Sequence, residues 1–508
     1  MKKSTSRFGA CIGIGLGVLV GATDWSIVQN ALPIIQNSLG ASIGQLQWIM
    51  NSFGLFMTVL LVTMGRLGDI YGRKRVFNLG LLIFGLACLG AALSSTPFWL
   101  IAARAFQGVG FAMLMTNSQA LLTHAFPEEQ HGHAMGIWAT LAGVGLVLGP
   151  VLGGIIVSFL HWSWIFYINI PITIISYIFV KIFVVESKNE EHPPVIDIKG
   201  IFIFTLGLGF LIFGIIQGPE WGWSDPFILS CFALAIIFLL IFYFVERKTK
   251  VPLIEFSFFK NKRFTAAALT IFTGCFLFWA TFFLMPLYLQ NFRNESPWVS
   301  GLVLLSVGIP FTIISRFAGA AGDRIDKQKL IPSGLFLVFL FAISVLWIGD
   351  AVPLTLICLG LVFFGAGQAI FWAPGTSLGI SALPRSQSGV ASGAITTIQE
   401  SGGSVGIALA GTIFRITEKH HFQDLADKRG MELSPEIITK AQSLLSDPEK
   451  LKDFLSHQGA SLDHIMTALF KASFLFGFHS SMILTAALSF ISMVTIYFLL
   501  KKKPLNRD

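Results

Sequence analysis

Fourteen apolar stretches follow one another along this 508-residue chain, most of them joined by short connections. A bilayer core takes roughly 20 apolar residues per helix. That ruler predicts spans at about 8–30, 45–65, 76–94, 98–123, 133–157, 164–180, 200–217, 226–245, 264–290, 298–315, 331–349, 353–380, 388–414 and 472–500. Backbone polar groups in hydrocarbon must be satisfied inside their own segment, so spans of this length are helices. Composition agrees, since only 12% of residues are charged, against about 25% in soluble domains. The chain is predicted to be an all-α integral membrane protein with the lipid bilayer as its solvent.

Charge placement sets the orientation. Between spans 2 and 3, Gly65-Arg66-Leu67-Gly68-Asp69-Ile70-Tyr71-Gly72-Arg73-Lys74-Arg75 packs four basic residues into one tight connection, the mark of a cytoplasmic loop. With the N-terminus inside, cytoplasmic segments hold 25 of the 35 Lys and Arg residues, and short external loops hold one, Arg293. Eight more fall in the long 415–471 segment, and long loops translocate largely regardless of charge. Both termini are therefore predicted to be cytoplasmic. The net charge of +8 belongs to these loops and does not imply a nucleic-acid partner. Trp162, Trp164, Trp221, Trp223 and Trp298 sit in the short external loops as interfacial aromatics. Within 415–471, Ile437, Ile438, Ala441, Leu444 and Leu445 recur at helical spacing until Ser446-Asp447-Pro448, so short helices are predicted there. The apolar run after Met1-Lys2-Lys3 continues past Ala22 without a clear cleavage site and reads as a retained first helix. All five cysteines lie in apolar segments, which argues against a disulfide framework.

A weaker copy of the loop recurs as Gly322-Asp323-Arg324-Ile325-Asp326-Lys327-Gln328-Lys329, 254 residues further on. The same offset aligns Gly80 with Gly334. Internal repeats are a hallmark of transporters. Spans 2–3 then correspond to spans 10–11, giving a six, two and six arrangement. The predicted boundaries are 1–185 for the first bundle, 186–260 for two additional, peripheral helices with their linkers, and 261–508 for the second bundle.

Three charges fall inside spans: Asp24 in span 1, Arg104 in span 4 and Glu400 in span 13. A charge at that depth is costly, so it is protonated, partnered or functional. Asp24 and Glu400 are candidates for carrying a proton or meeting a substrate. Arg104 keeps its charge under all ordinary conditions and is a candidate for tuning a nearby acid. Gly145, Gly149 and Gly153 share one helical face, with Gly154 beside them and Pro150 permitting a bend. His124, His131 and His133 cluster near a turn, but the spacing without cysteines does not predict a metal site. No Gly-x-x-x-x-Gly-Lys-Ser/Thr motif is present, so ATP drive is not expected. No Ser/His/Asp constellation is discernible in the loops, and no cofactor is predicted.

These motifs, in this order, resemble the major facilitator superfamily and its fourteen-helix drug:proton antiporter branch. The Gly65–Arg75 loop is similar to the family's signature between helices 2 and 3. Arg104-Ala105-Phe106-Gln107-Gly108-Val109-Gly110 resembles its helix 4 pattern, and Gly145-Leu146-Val147-Leu148-Gly149-Pro150-Val151-Leu152-Gly153-Gly154 its exporter motif. Asp24-Trp25-Ser26-Ile27-Val28-Gln29-Asn30-Ala31-Leu32-Pro33 resembles the branch's helix 1 motif, departing at Ser26 and Gln29. Trp162-Ser163-Trp164-Ile165-Phe166-Tyr167-Ile168-Asn169-Ile170-Pro171 also fits, except at Ser163. The resemblance implies a secondary transporter of the inner (cytoplasmic) membrane rather than an enzyme. It would export small amphipathic toxic compounds in exchange for protons by alternating access.

On that reading Asp24, Arg104 and Glu400 couple protons, while Asp24, Trp25, Gln399 and Glu400 line the substrate cavity. Gly65, Asp69, Gly72, Arg73 and Asp323 belong to the cytoplasmic gate, and Gly149, Pro150, Gly153 and Gly154 seal the two halves. A monomer is expected, and a periplasmic adaptor with an outer-membrane channel is compatible. A dedicated exporter of one endogenous metabolite, such as a siderophore, is the alternative. A membrane enzyme or a structural membrane protein is the reading from another class.

Overall fold

Each predicted span is covered by helix in the computed structural model, which describes residues 7–126, 131–188, 197–249, 252, 254–349, 352–383, 388–429 and 460–501. The helices are α1 Arg7–Leu39, α2 Ile43–Tyr71, α3 Arg73–Ala92, α4 Pro97–Ala125, α5 His131–Phe159, α6 Trp164–Tyr167, α7 Asn169–Phe183, α8 Ile198–Trp221, α9 Pro226–Glu246, α10 Lys262–Leu287, α11 Pro297–Arg324, α12 Lys327–Val345, α13 Leu354–Ser381, α14 Ser388–Lys428 and α15 Ala460–Leu500. The sixth span is the pair α6–α7, and a π-turn at Tyr288–Phe292 prolongs α10.

Among the described residues, eleven helices are long and apolar enough to cross a membrane, or twelve with α2 taken as one span. The helix over span 13, α14, is long enough at 41 residues. Its inner turns carry Thr397, Gln399, Glu400, Ser401 and Ser404, so its composition is polar, although Thr397, Glu400 and Ser404 are buried in protein. The 415–471 segment differs from expectation at both ends. Helix α14 continues to Lys428 and α15 begins at Ala460, while the helices predicted near 437–455 lie outside the described residues.

Helix boundaries follow local chemistry. Ser42 caps α2 with a full capping box: its Oγ accepts from the Gln45 amide at 3.2 Å, and Gln45 Oε1 accepts from the Ser42 amide at 2.9 Å. Gly72 breaks α2 from α3 at φ 111°, a conformation that side chains rarely adopt.

Helices α1–α7 pack mainly among themselves, as do α10–α15, which makes two bundles. The internal repeat is visible in their packing. Gly80 of α3 lies against the Gly110 carbonyl of α4, and Gly334 of α12 lies against the Gly367 carbonyl of α13. Small residues let these backbones touch where lipid offers no hydrophobic drive for association. The bundles meet through α5 with α11, α2 with α14 and α1 with α10.

The two additional helices are not equivalent. Helix α9 packs on α8, whereas α8 lies against both α2 and α14, across the seam between the bundles. Phe204, Leu208, Ile212, Ile215 and Ile216 form a buried cluster there with Leu55, Val59 and Ala408. The expectation that both are peripheral therefore holds for α9 only. An all-round apolar helix such as α8 reads the same against lipid as against two helices.

Candidate functional site

Asp24 sits at the centre of α1, where neighbouring turns are glycine-rich and every flank is covered by protein, and its side chain is wholly buried. Its Oδ2 accepts from Arg104 Nη1 of α4 at 2.6 Å. Its Oδ1 accepts from Asn169 Nδ2 of α7 at 2.6 Å and from Gln107 Nε2 at 3.2 Å. Arg104 is also fully buried, and Nη1 reaches Gln107 Oε1 at 3.0 Å while Nε reaches the Ile49 carbonyl at 3.2 Å. Its guanidinium lies 4.3 Å from the Phe53 ring centroid. Charge-assisted bonds of this length are strong, but both ions have lost their water, so either one alone would be stranded. Asn169 completes the node, and its place in the span 6 motif was the available signal. Proximity to Asp24 required the fold.

A second acid lies in the other bundle. Glu400 of α14 is buried; its Oε1 accepts from Gln399 Nε2 at 2.8 Å, and its Oε2 has no partner. Near it, Trp25 of α1 stacks on Trp279 of α10, with centroids 4.6 Å apart and planes 11° from parallel. Gly403, one turn from Glu400, faces the Trp279 indole, where a Cβ would lie 3.1 Å from Nε1. Cys275 bonds the same indole and lies within electrostatic reach of Glu400. On α1, Gln29 is one turn beyond Trp25, on the same face, and both its amide atoms are buried without a partner. Thus Trp25, Gln399 and Glu400 of the predicted cavity lie where the bundles meet, while Asp24 is locked within the first bundle. Trp279 was not singled out in the sequence, because an apolar span contains too many aromatics to distinguish one, and Gln29 stood out only as a departure from the helix 1 motif.

The glycine motif of α5 divides between two partners. A Cβ at Gly145 would meet the Leu19 carbonyl at 2.8 Å, at Gly153 the Ile27 carbonyl at 2.7 Å, and at Gly149 it would collide with Ser26. This face therefore packs on α1 within one bundle. Pro150 and Gly154 instead turn to α11: Gly154 abuts the Pro297 carbonyl, and the Pro150 carbonyl lies against Gly301. Of the four residues expected at a seal between the halves, Pro150 and Gly154 contact the second bundle, whereas Gly149 and Gly153 contact α1. Asn30 closes the same seam. Its Nδ2 donates to the carbonyls of Pro150 and Pro297, both at 2.9 Å. Its Oδ1 accepts from Ser300 Oγ at 2.6 Å and Gln290 Nε2 at 3.1 Å. Asn30 is one uncharged polar residue in an apolar span, and nothing in the sequence alone marked it as a seam contact.

At the opposite end, Asp69 pairs with Arg73 at 2.9 Å and lies 4.0 Å from Arg66, both within the loop itself. Gly72 is packed so closely that a Cβ would lie 2.6 Å from the Glu186 carboxyl carbon. Glu186, just beyond α7, accepts from the amides of Lys74 at 2.9 Å and Ser187 at 3.1 Å, and lies 3.8 Å from Arg75. A carboxylate on the first turn of α3 satisfies free N–H groups and the helix dipole. A Cβ added at Gly65 would make ordinary contact with Thr116, 3.6 Å from its Cβ. The side chain of Asp323 lies outside the described residues. Among the described residues no cluster could hold a metal, and the five cysteines are free.

Two helical bundles with a buried charged node and polar side chains at their junction define a membrane transporter, not an enzyme. The model of the Major Facilitator Superfamily matches residues 14–199 and 198–407, and the chain belongs to that family. It is a multi-pass protein of the cytoplasmic membrane. It is 31% identical over 403 residues to the multidrug resistance protein Stp of Mycobacterium tuberculosis (strain CDC 1551 / Oshkosh), covering 79% of this chain and 75% of that protein. It is 30% identical over 410 residues to the tetracenomycin C resistance and export protein of Streptomyces glaucescens, with coverage of 79% and 75%. It is 29% identical over 401 residues to the riboflavin transporter RibZ of Clostridioides difficile (strain 630), with coverage of 79% and 87%. The fold is similar to an inward-facing, unoccupied bacterial homolog of the human lysosomal transporter Spinster, at TM-score 0.65 and 15% identity over 97% of each chain.

Proposed function

We propose that this transporter exports small amphipathic toxic compounds, neutral or cationic, in exchange for protons. The observation that carries the reading is the fully buried Asp24–Arg104 pair. The wholly buried Asp24 carboxylate accepts three hydrogen bonds, from Arg104 and Gln107 of α4 and from Asn169 of α7. Protonation would cancel its charge and weaken all three bonds at once, loosening α1 from its neighbours. Substrate would enter at the junction beside Trp25, Gln399 and Glu400, in the other half of the cavity. A proton on Asp24 and a substrate near Glu400 would then favour different arrangements of the bundles, which is what exchange requires. Relatives that carry resistance and export in their names support the direction of transport. Purified protein in proteoliposomes should accumulate ethidium against its gradient when a pH gradient is imposed, and a protonophore should collapse that accumulation. Accumulation indifferent to the protonophore would exclude proton exchange.

The reading takes the protein as a monomer of two rocking bundles, residues 1–185 and 261–508, with 186–260 between them. Helix α8 would move with the second bundle. Thr412 Oγ1 of α14 donates to the Ile215 carbonyl at 2.8 Å and the Arg415 guanidinium to the Ile216 carbonyl. Towards α2, the named contacts are apolar, such as Trp48 with Phe213 at 6.0 Å between centroids. Hydrogen bonds fix a register, and apolar faces slide. In a cysteine-free background, a cross-link between Ile215→Cys and Thr412→Cys should leave export within about twofold. One between Trp48→Cys and Phe213→Cys should reduce it at least tenfold, and equal effects would mean that α8 moves with neither bundle.

A further inference from the structure

We infer that Trp25 and Trp279 form an aromatic clamp, one jaw on each bundle, that selects flat aromatic substrates bearing a positive charge. The inference rests on the proposed export function and adds what the site would recognise.

The two indoles come from α1 and α10, on opposite sides of the seam, and their near-parallel stack is the closed form of the clamp. At 4.6 Å between centroids nothing fits between them. A flat ring sandwiched between two others needs about 7 Å, twice the ~3.5 Å contact distance between carbon atoms. The jaws therefore have to part by roughly 2–3 Å, along the direction in which two bundles move against each other. A planar guest exchanges one indole–indole contact for two guest–indole contacts. A non-planar guest forces a wider gap and meets only one face well.

The surroundings make this a built site. Phe53 stands edge-on to Trp25 at 5.1 Å and Phe278 edge-on to Trp279 at 5.2 Å, so each jaw is held in a fixed plane. Glycines sit beside the indoles: a Cβ at Gly403 would clash with Trp279, and one at Gly54 would touch Trp25 at 4.0 Å. Larger residues there would crowd the rings. Glu400 brings a buried carboxylate oxygen with no partner close to the Trp279 edge. Indole faces attract cations most strongly among aromatic residues, and a nearby carboxylate adds to that preference. Gln29, also unpartnered, offers a donor and an acceptor to polar edges of a guest.

The test is binding to the purified full-length protein in detergent, with three monocationic probes. Ethidium is flat and aromatic, tetraphenylphosphonium is aromatic but not flat, and dodecyltrimethylammonium is not aromatic. The wild-type protein should bind ethidium at least tenfold more tightly than dodecyltrimethylammonium, with tetraphenylphosphonium between them. Trp279→Leu should weaken ethidium about tenfold and leave dodecyltrimethylammonium within twofold. Trp279→Phe keeps a ring in place and should retain most of the ethidium affinity. Trp25→Leu, made in the other bundle, should reproduce the selective loss. Equal wild-type affinity for the three probes, or a parallel loss of all three in both leucine variants, overturns the clamp. Because binding is read without a pH gradient, this outcome stays separate from a failure of proton coupling.

Discussion

Asp24→Asn is expected to abolish proton-driven export and, unlike most surface changes, to lower stability as well. The amide keeps the shape of the side chain, so Asn169 and Gln107 retain a neighbour. Arg104, however, is left as a buried charge without its counter-ion. Removing one partner of a buried pair costs about 3–5 kcal/mol. The double variant Asp24→Asn/Arg104→Gln removes both charges and should recover most of that loss. It should not recover transport, because nothing in the node then releases a proton. The check is paired: thermal unfolding in detergent, and flux in proteoliposomes under a pH gradient. A double variant that regains both stability and pH-driven flux would remove Asp24 from the coupling mechanism and leave it a structural pair.

Asn30→Leu should act on the conformational balance instead of the ion pair. In the present arrangement one amide bonds the Pro150 carbonyl of its own bundle and, across the seam, the Pro297 carbonyl, Ser300 and Gln290. With leucine there, the Pro150 and Pro297 carbonyls and Ser300 lose this amide, and Gln290 keeps only its bond to the backbone carbonyl at position 30. When the seam opens, water can reach them. Each buried polar group left unsatisfied costs about 1–3 kcal/mol, and 1.4 kcal/mol is tenfold in a population. The variant is therefore expected to shift the balance towards the state open at that end by at least tenfold. Spin labels on Phe159→Cys of α5 and Trp298→Cys of α11, in a cysteine-free background, report the distance. A distribution identical to that of the labelled parent would show that Asn30 does not hold the seam. Ethidium affinity should fall much less than transport, since Asn30 is not part of the Trp25–Trp279 clamp.

The order and length of the helices were legible because the bilayer imposes a one-dimensional rule on sequence: about 20 apolar residues wherever a helix crosses. The 254-residue offset disclosed the second bundle, and the same glycines that carried it, Gly80 and Gly334, prove to be close helix contacts. Buried charge was legible too, since Asp24, Arg104 and Glu400 stand out against an apolar background. Polar residues in polar surroundings did not stand out in this way. Thr397 to Ser404 make α14 look less like a span than its length warrants, because a protein-lined interior tolerates what lipid does not.

What sequence alone could not decide was which charges and rings meet. Asp24 and Arg104 are 80 residues apart, and nothing in either helix states that they touch, whereas Glu400 joins a different group in the other bundle. The α5 glycines announced a close contact without its partner, so the split between α1 and α11 emerged only from the tertiary structure. The same holds for Asn30, Trp279 and α8. Amide, indole and apolar helix are ordinary residues and segments whose role comes from lying at the seam. The sequence by itself determined the helices, their approximate ends and the charges that must find partners, because those follow from transfer into the bilayer. Pairing across the bundles was decided by tertiary packing, because it depends on which helix faces are brought within a few ångströms, and periodicity in one helix carries no record of the other.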